Sequence, residues 1–121
     1  MNHFILIGTM AFALAGCLDP SVDERKASMA NDIATAFPSA ADRDGIFMAS
    51  PRGRNSPATV FHIGFYPEAV SDNQVLSRLQ KYCDANGLGQ ANVAKVRGGG
   101  WKIRQDDGTL KDARRGEFRC G

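Results

Sequence analysis

Histidine is scarce in this chain: there are two in 121 residues, one of them at position 3. Chemistry that depends on an imidazole base therefore has one candidate in the body of the chain, His62. Cysteine is nearly as rare, and Cys17, Cys83 and Cys120 stand far from one another. That spacing lacks the close pairs of a structural zinc site, so neither metal nor cofactor is expected. An excess of one charge is missing too: 15 Lys or Arg face 13 Asp or Glu, a formal net charge of +2, too mild to imply a nucleic-acid partner. The sequence contains no Gly-Xaa-Ser-Xaa-Gly elbow, phosphate loop or His-Glu-Xaa-Xaa-His pair. Gly98-Gly99-Gly100 lacks the spacing of a nucleotide cradle and reads as a mobile turn. With no catalytic constellation in view, the expectation is a protein that is not an enzyme.

No apolar run approaches the roughly 20 residues that a membrane-spanning helix needs. A shorter one is present, a nearly continuous stretch of thirteen from Phe4 to Gly16, ending in small residues and preceded only by Met1, Asn2 and His3. Its length suits the hydrophobic stretch of a cleavable export segment. The stretch leads into Leu14-Ala15-Gly16-Cys17, which resembles the bacterial lipobox. That resemblance covers the first 17 residues and implies a fate for the sulfur. The Cys17 thiol receives a diacylglyceryl group, the chain is cut just before it, and the new amino terminus is acylated. Several acyl chains matter because a single one holds a protein to a bilayer only marginally. The next residue, Leu18 rather than Asp, resembles the pattern of lipoproteins directed to the outer membrane and facing the periplasm.

This gives an expected organisation: residues 1–16 a signal peptide, 17–21 a short lipidated tether containing Pro20, and 22–121 a single small domain. Hydrophobic residues at 43% and charged residues at 23% are the composition of a folded body rather than a disordered one. Ser21-Val22-Asp23-Glu24 fits a capping box, and Met29, Ile33 and Phe37 recur at helical spacing before Pro38, which predicts a helix from Val22 to Ala36. Gly45 to Ser50 and Ala58 to Tyr66 read as strands joined by the Pro51 to Pro57 loop. In the second of these, Thr59, Phe61, Ile63 and Phe65 form the core-facing set, opposite Val60, His62, Gly64 and Tyr66.

A second helix, Asp72 to Ala85, is marked by the Ser71/Gln74 capping box and the Val70/Val75 staple. It carries a Val75, Leu76, Leu79, Tyr82, Cys83 stripe, exposes Arg78 and Lys81, and stops at Asn86-Gly87. Ala91 to Arg97 follows as a strand, and strand, helix, strand has a right-handed crossover between parallel neighbours as its default. Trp101 to Arg104 alternates apolar and basic residues, Asp107-Gly108 marks a tight turn with a hairpin across it, and Glu117 to Cys120 reads as a final edge strand. The expected fold is α+β, two helices packed on one face of a four- to five-stranded mixed sheet.

An exported chain meets an oxidising compartment, so Cys83 and Cys120 are expected to close a disulfide. A cysteine nucleophile would need His62, which lies on a strand far away in sequence and on the face opposite the phenylalanines. The C-terminal part is locally basic, eight Lys or Arg against four acids from Lys95 to Gly121. Within it, Trp101, Lys102, Arg104, Lys111, Arg114 and Arg115 set an aromatic among bases that suits lipid phosphates, an anionic glycan or an acidic partner. The same residues also fit a solvated edge offset by Asp106, Asp107, Asp112 and Glu117, with Trp101 buried.

Two functions follow as expectations. One is a non-enzymatic envelope lipoprotein, held to the lipid bilayer through acylated Cys17, that binds or scaffolds an envelope protein or anionic glycan. The other is a periplasmic inhibitor or immunity-type protein that blocks an enzyme through basic loops, including the one bearing Arg52 and Arg54.

Overall fold

The computed structural model describes residues 22–97 and 101–121. The expected export segment, Cys17, the expected tether with Ser21, and the triple glycine all lie outside the described residues. The elements run α1 (Val22–Ala36), a short 3-10 turn (Ala40–Arg43), β1 (Ile46–Arg52), β2 (Val60–Phe65), α2 (Asp72–Ala85), β3 (Ala91–Arg97), β4 (Lys102–Arg104), β5 (Leu110–Asp112) and β6 (Arg114–Cys120). Among the described residues no helix is long and apolar enough to cross a membrane.

Four strands form one sheet in the order β1-β2-β6-β3, and β4 and β5 pair separately across the Asp107-Gly108 turn. Every described pairing is antiparallel. This corrects the expected mixed sheet: β2 and β3 are not neighbours joined by a parallel crossover, because β6 lies hydrogen-bonded between them. The expected edge strand is longer than Glu117 to Cys120 and occupies the interior of the sheet. Its inward residues explain the placement. Gly116, Phe118 and Cys120 are buried, and the bare backbone at Gly116 makes room for the Phe118 ring, which an added Cβ would meet at 2.7 Å.

The core lies on one side of this sheet. Phe61, Ile63 and Phe65 of β2 and Phe118 of β6 are fully buried against Val75, Leu79, Tyr82 and Cys83 of α2. Burying side chains of this size contributes about 1.5–3 kcal/mol each. The Tyr82 hydroxyl donates to the Ala58 carbonyl (2.6 Å), so its polar end is satisfied as its ring packs edge-on to Phe61.

At the start of α2 the Ser71 hydroxyl accepts from the Gln74 amide (3.2 Å), and Gln74 Oε1 accepts from the Ser71 amide (2.8 Å). At its end Gly87 adopts φ 65° and the Leu88 amide closes on the Cys83 carbonyl (2.9 Å). Arg78 is not a free surface residue as expected. Its guanidinium donates to the Asp42 and Asp44 carbonyls (3.0 and 2.6 Å), and Lys81 reaches the Asp42 carboxylate (2.9 Å), pinning the 3-10 turn to α2.

Helix α1 joins the core only by its last turn, through Ala36 with Phe37 beyond it and Ile33 partly buried. Arg43 completes its C-terminus by donating to the Phe37 and Pro38 carbonyls (2.8 and 2.7 Å). Residues 22–31 are exposed on every side, so Met29 does not reach the core.

Cys83 and Cys120 are joined by a disulfide between α2 and β6. It closes a loop across a separation of 37 residues, for which restriction of the unfolded chain corresponds to about 3 to 4 kcal/mol. The Cys83→Ala, Cys120→Ala double variant is therefore expected to lose about that much stability in urea denaturation. A midpoint equal to the parent's would show that the cross-link contributes nothing.

Candidate basic groove on the outer sheet face

The face of the sheet turned away from the core is built by the same alternation that builds the core. Across the strands, Ser50, His62, Glu117 and Lys95 stand in one row, and Met48, Gly64, Arg115 and Arg97 in the next. Of the inward set expected of β2, Phe61, Ile63 and Phe65 are buried while Thr59 precedes the strand and is half-buried, and His62 and Gly64 face outward. Two irregularities set the rest. The register of β1 shifts between Ile46 and Met48, so Ile46 turns inward while Met48, Ser50 and Arg52 turn outward. The register of β3 shifts between Val93 and Lys95, which carries Lys95 and Arg97 to the outer face while Ala91 and Val96 pack on the core.

A groove of about 380 Å³ results, lined by Arg52, His62, Lys95, Arg97, Arg115 and Glu117. Four permanent cations surround one carboxylate, and that carboxylate is engaged by Arg119 (3.2 Å). Among the described residues Arg52, Lys95, Arg97 and Arg115 form no ion pair. Arg97 lies directly opposite Arg115 in the ladder, a like-charge pairing that costs up to about 1 kcal/mol at a surface site.

Beside the groove, next to Arg115, aromatics form a wall. Phe47, at the β1 bulge, lies over Gly64 and packs against Tyr66 (4.9 Å between centroids) and Trp101 (5.9 Å). The Arg115 guanidinium stacks on the Trp101 ring at 4.5 Å, and Lys111 stands over Tyr66 at 5.3 Å. The β4–β5 hairpin is docked to this wall by Gln105, which donates to the Tyr66 hydroxyl (3.3 Å). Its turn is held by Asp107, whose carboxylate accepts from the Thr109 hydroxyl and amide (2.6 and 2.9 Å) and is kept below its ordinary range by those bonds.

The six residues expected to form an anionic-partner surface therefore divide. Trp101, Lys111 and Arg115 meet at the aromatic wall, with Trp101 37% exposed rather than buried. Lys102 pairs with Asp112 across the hairpin (3.3 Å), and Arg104 is exposed on the same hairpin. Arg114 points to the other side of the sheet and makes a two-pronged bond to Asp72 at the start of α2 (3.1 and 2.9 Å). Arg52, His62, Lys95 and Arg97 complete the groove although sequence reasoning did not place them there. The alternation of Arg115, Glu117 and Arg119 with Gly116 and Phe118 was the available signal.

His62 differs from Cys83 and Cys120 in being chemically free. The cysteines are bonded to each other, so among the described residues no free thiol stands beside His62. No cluster of three or more His, Cys, Asp or Glu able to hold a metal occurs among the described residues. Partial burial lowers the His62 pKa below 6.5, nearby Arg52 and Arg115 add to the lowering, and Glu117 opposes it. Comparison with family models, characterised proteins and solved structures finds no match to this chain.

Gly64→Ala would put its Cβ 2.4 Å from a Phe47 ring carbon. Displacement of that ring is expected to cost about 1–3 kcal/mol and to shift the fluorescence of the single tryptophan, Trp101, to longer wavelength. An unchanged emission maximum would show that Phe47 does not support Trp101. The His62 ring is expected to titrate below 6.5 by NMR, with Arg52→Gln raising the midpoint and Glu117→Gln lowering it further. The unfolded chain then binds this proton more tightly, so the neutral ring's contribution to stability is present above pH 6.5 and is lost as pH falls from there through the lower midpoint of the folded protein. A midpoint above 6.5 would place the ring nearer to Glu117 than to the arginines.

Proposed function

We propose that this protein is a lipid-anchored bacterial envelope protein that acts without catalysis. It holds a small α+β binding module at the membrane and meets an anionic envelope partner, a protein or a glycan, with the basic outer face of its sheet. The observation that carries this reading is the four-to-one excess of cation over carboxylate in the open groove of a chain whose net charge is only +2. Attachment is read from the Leu14-to-Cys17 signal, and Leu18 favours an outer-membrane position facing the periplasm. The Cys83–Cys120 disulfide supports an oxidising compartment. Helix α1 suits the same reading, since its first ten residues, all exposed, form a spacer of about 15 Å between anchor and body.

The test uses the full-length chain in its native envelope. Radiolabelled palmitate is expected on the parent and absent from Cys17→Ser, and label persisting on that variant would refute the anchor. Photo-cross-linking from the sheet face is expected to trap an envelope component with the parent and not with Lys95→Glu, Arg97→Glu protein that remains palmitoylated. Equal trapping by both would remove the groove as the contact surface.

The inhibitor reading is favoured by one feature, the β1–β2 connection, where residues 51–57 are all exposed and carry Arg52 and Arg54. It predicts a single stoichiometric enzyme partner that is lost in Arg54→Glu and kept in Lys95→Glu.

A further inference from the structure

We infer that the part of the groove between Arg97 and Arg115 is a binding site for phosphate groups, and that Lys95 and Arg52 extend it for a ligand carrying more than one of them. This rests on the reading of the basic sheet face as a contact surface and names what that surface takes. The register puts Arg97 and Arg115 directly opposite each other on one face, a like-charge pairing that is unfavourable while empty and becomes favourable when an oxyanion sits between them. Arg115 is preorganised for that role. Stacked on Trp101 at 4.5 Å, its planar fork keeps its N–H edges available, and the indole limits the orientations it must give up on binding. A tetrahedral dianion has the charge and the number of acceptor oxygens to engage two forks and a neighbouring ammonium at once, whereas one carboxylate satisfies a single fork.

The groove crosses all four strands, from Arg52 on β1 to Lys95 and Arg97 on β3, a width of about 14 Å at ordinary strand spacing. That span exceeds a single phosphate and fits a pyrophosphate or a headgroup with two phosphates. Glu117 is the one group that opposes an anion here, and Arg119 holds it at 3.2 Å. His62 stands beside it in register, faced by Ser50 and Arg52 of β1, by Arg115 and Glu117 of β6, and by Lys95 beyond them. A bound dianion supplies the negative charge that these cations deny the ring. Binding and protonation of His62 therefore reinforce each other, so a bound anion raises the midpoint of the ring.

The phosphate can come from a soluble phosphorylated compound or from a lipid headgroup, and the experiment separates the two. Isotope-labelled full-length protein in an uncharged detergent is titrated with pyrophosphate, with citrate, and with micelles containing cardiolipin, whose headgroup carries two phosphates, or phosphatidylcholine. Saturable shifts at Lys95, Arg97, Arg115 and the His62 ring are expected with pyrophosphate, or with cardiolipin alone if the source is a headgroup. Phosphatidylcholine, which has no net charge, is expected to give none. Arg97→Gln and Arg115→Gln are each expected to weaken binding about tenfold or more. Lys26→Gln, which removes one charge from the exposed part of α1, is expected to leave binding unchanged. The His62 midpoint is expected to rise in the saturated protein.

Citrate binding as tightly as pyrophosphate would overturn the phosphate assignment while leaving an anion-binding face. Absence of any saturable shift with every anionic probe would overturn the phosphate assignment, while the contact surface itself stands or falls on the cross-linking. Equal loss of binding in Lys26→Gln would reduce the effect to net charge and remove the site.

Discussion

A β-strand sends alternate side chains to opposite faces, and β6 lies between two neighbours, so each of its residues is committed either to the core or to the outer surface. Gly116, Phe118 and Cys120 go inward, where Phe118 meets Phe65 and Cys120 closes on α2. Arg115, Glu117 and Arg119 go outward between His62 and Lys95. A slip of one residue would bury three charges and expose the phenylalanine, so the register that makes the core also fixes the groove. Two further anchors hold that register. The disulfide fastens the C-terminal end of β6 to α2, and the Arg114–Asp72 pair fastens the N-terminal end to the same helix. The ion pair is partly exposed, so its role is better described as positional than as a large share of the stability.

The two edge strands complete the surface by breaking their own periodicity. Strict alternation in β3 would keep Lys95 and Arg97 on the same side as Ala91 and Val93, and the irregularity between Val93 and Lys95 moves both cations to the outer face. In β1 the corresponding irregularity frees Phe47 to lie over Gly64, which builds the aromatic wall on which Arg115 is held. Edge strands tolerate such interruptions because only one of their ladders is affected. They also blunt edges that would otherwise invite pairing with another chain. The binding surface and the protection of the sheet edges are thus two effects of the same pair of irregularities.

The helices were legible because their signals are local. Ser71, Gln74 and Gly87 mark the ends of α2 by side-chain and backbone chemistry that does not depend on the rest of the fold, and both helices span the residues that sequence pattern assigns to them. The inward face of β2 was legible for the same reason, since Phe61, Ile63 and Phe65 alternate with nothing intervening. Sheet order was not, because a strand-helix-strand sequence says nothing of a later strand that inserts between the two, and β6 arrives only after the β4–β5 hairpin. The groove was only partly legible. Clustering along the chain put Arg114 with Arg115, whereas alternation sends them to opposite faces. Clustering also separated Arg52, His62 and Lys95, which the sheet brings together. The irregularities in β1 and β3 leave no turn residue or proline to mark them.

The insertion of β6 between β2 and β3 is the claim on which the core, the cross-link and the cationic face all depend. Backbone nuclear Overhauser contacts across the sheet measure it directly. Glu117 is predicted to show cross-strand contacts to both His62 and Lys95, and Arg115 to both Gly64 and Arg97. Contacts from β6 to one neighbour alone, or a one-residue shift that pairs Phe118 with His62, would contradict the account.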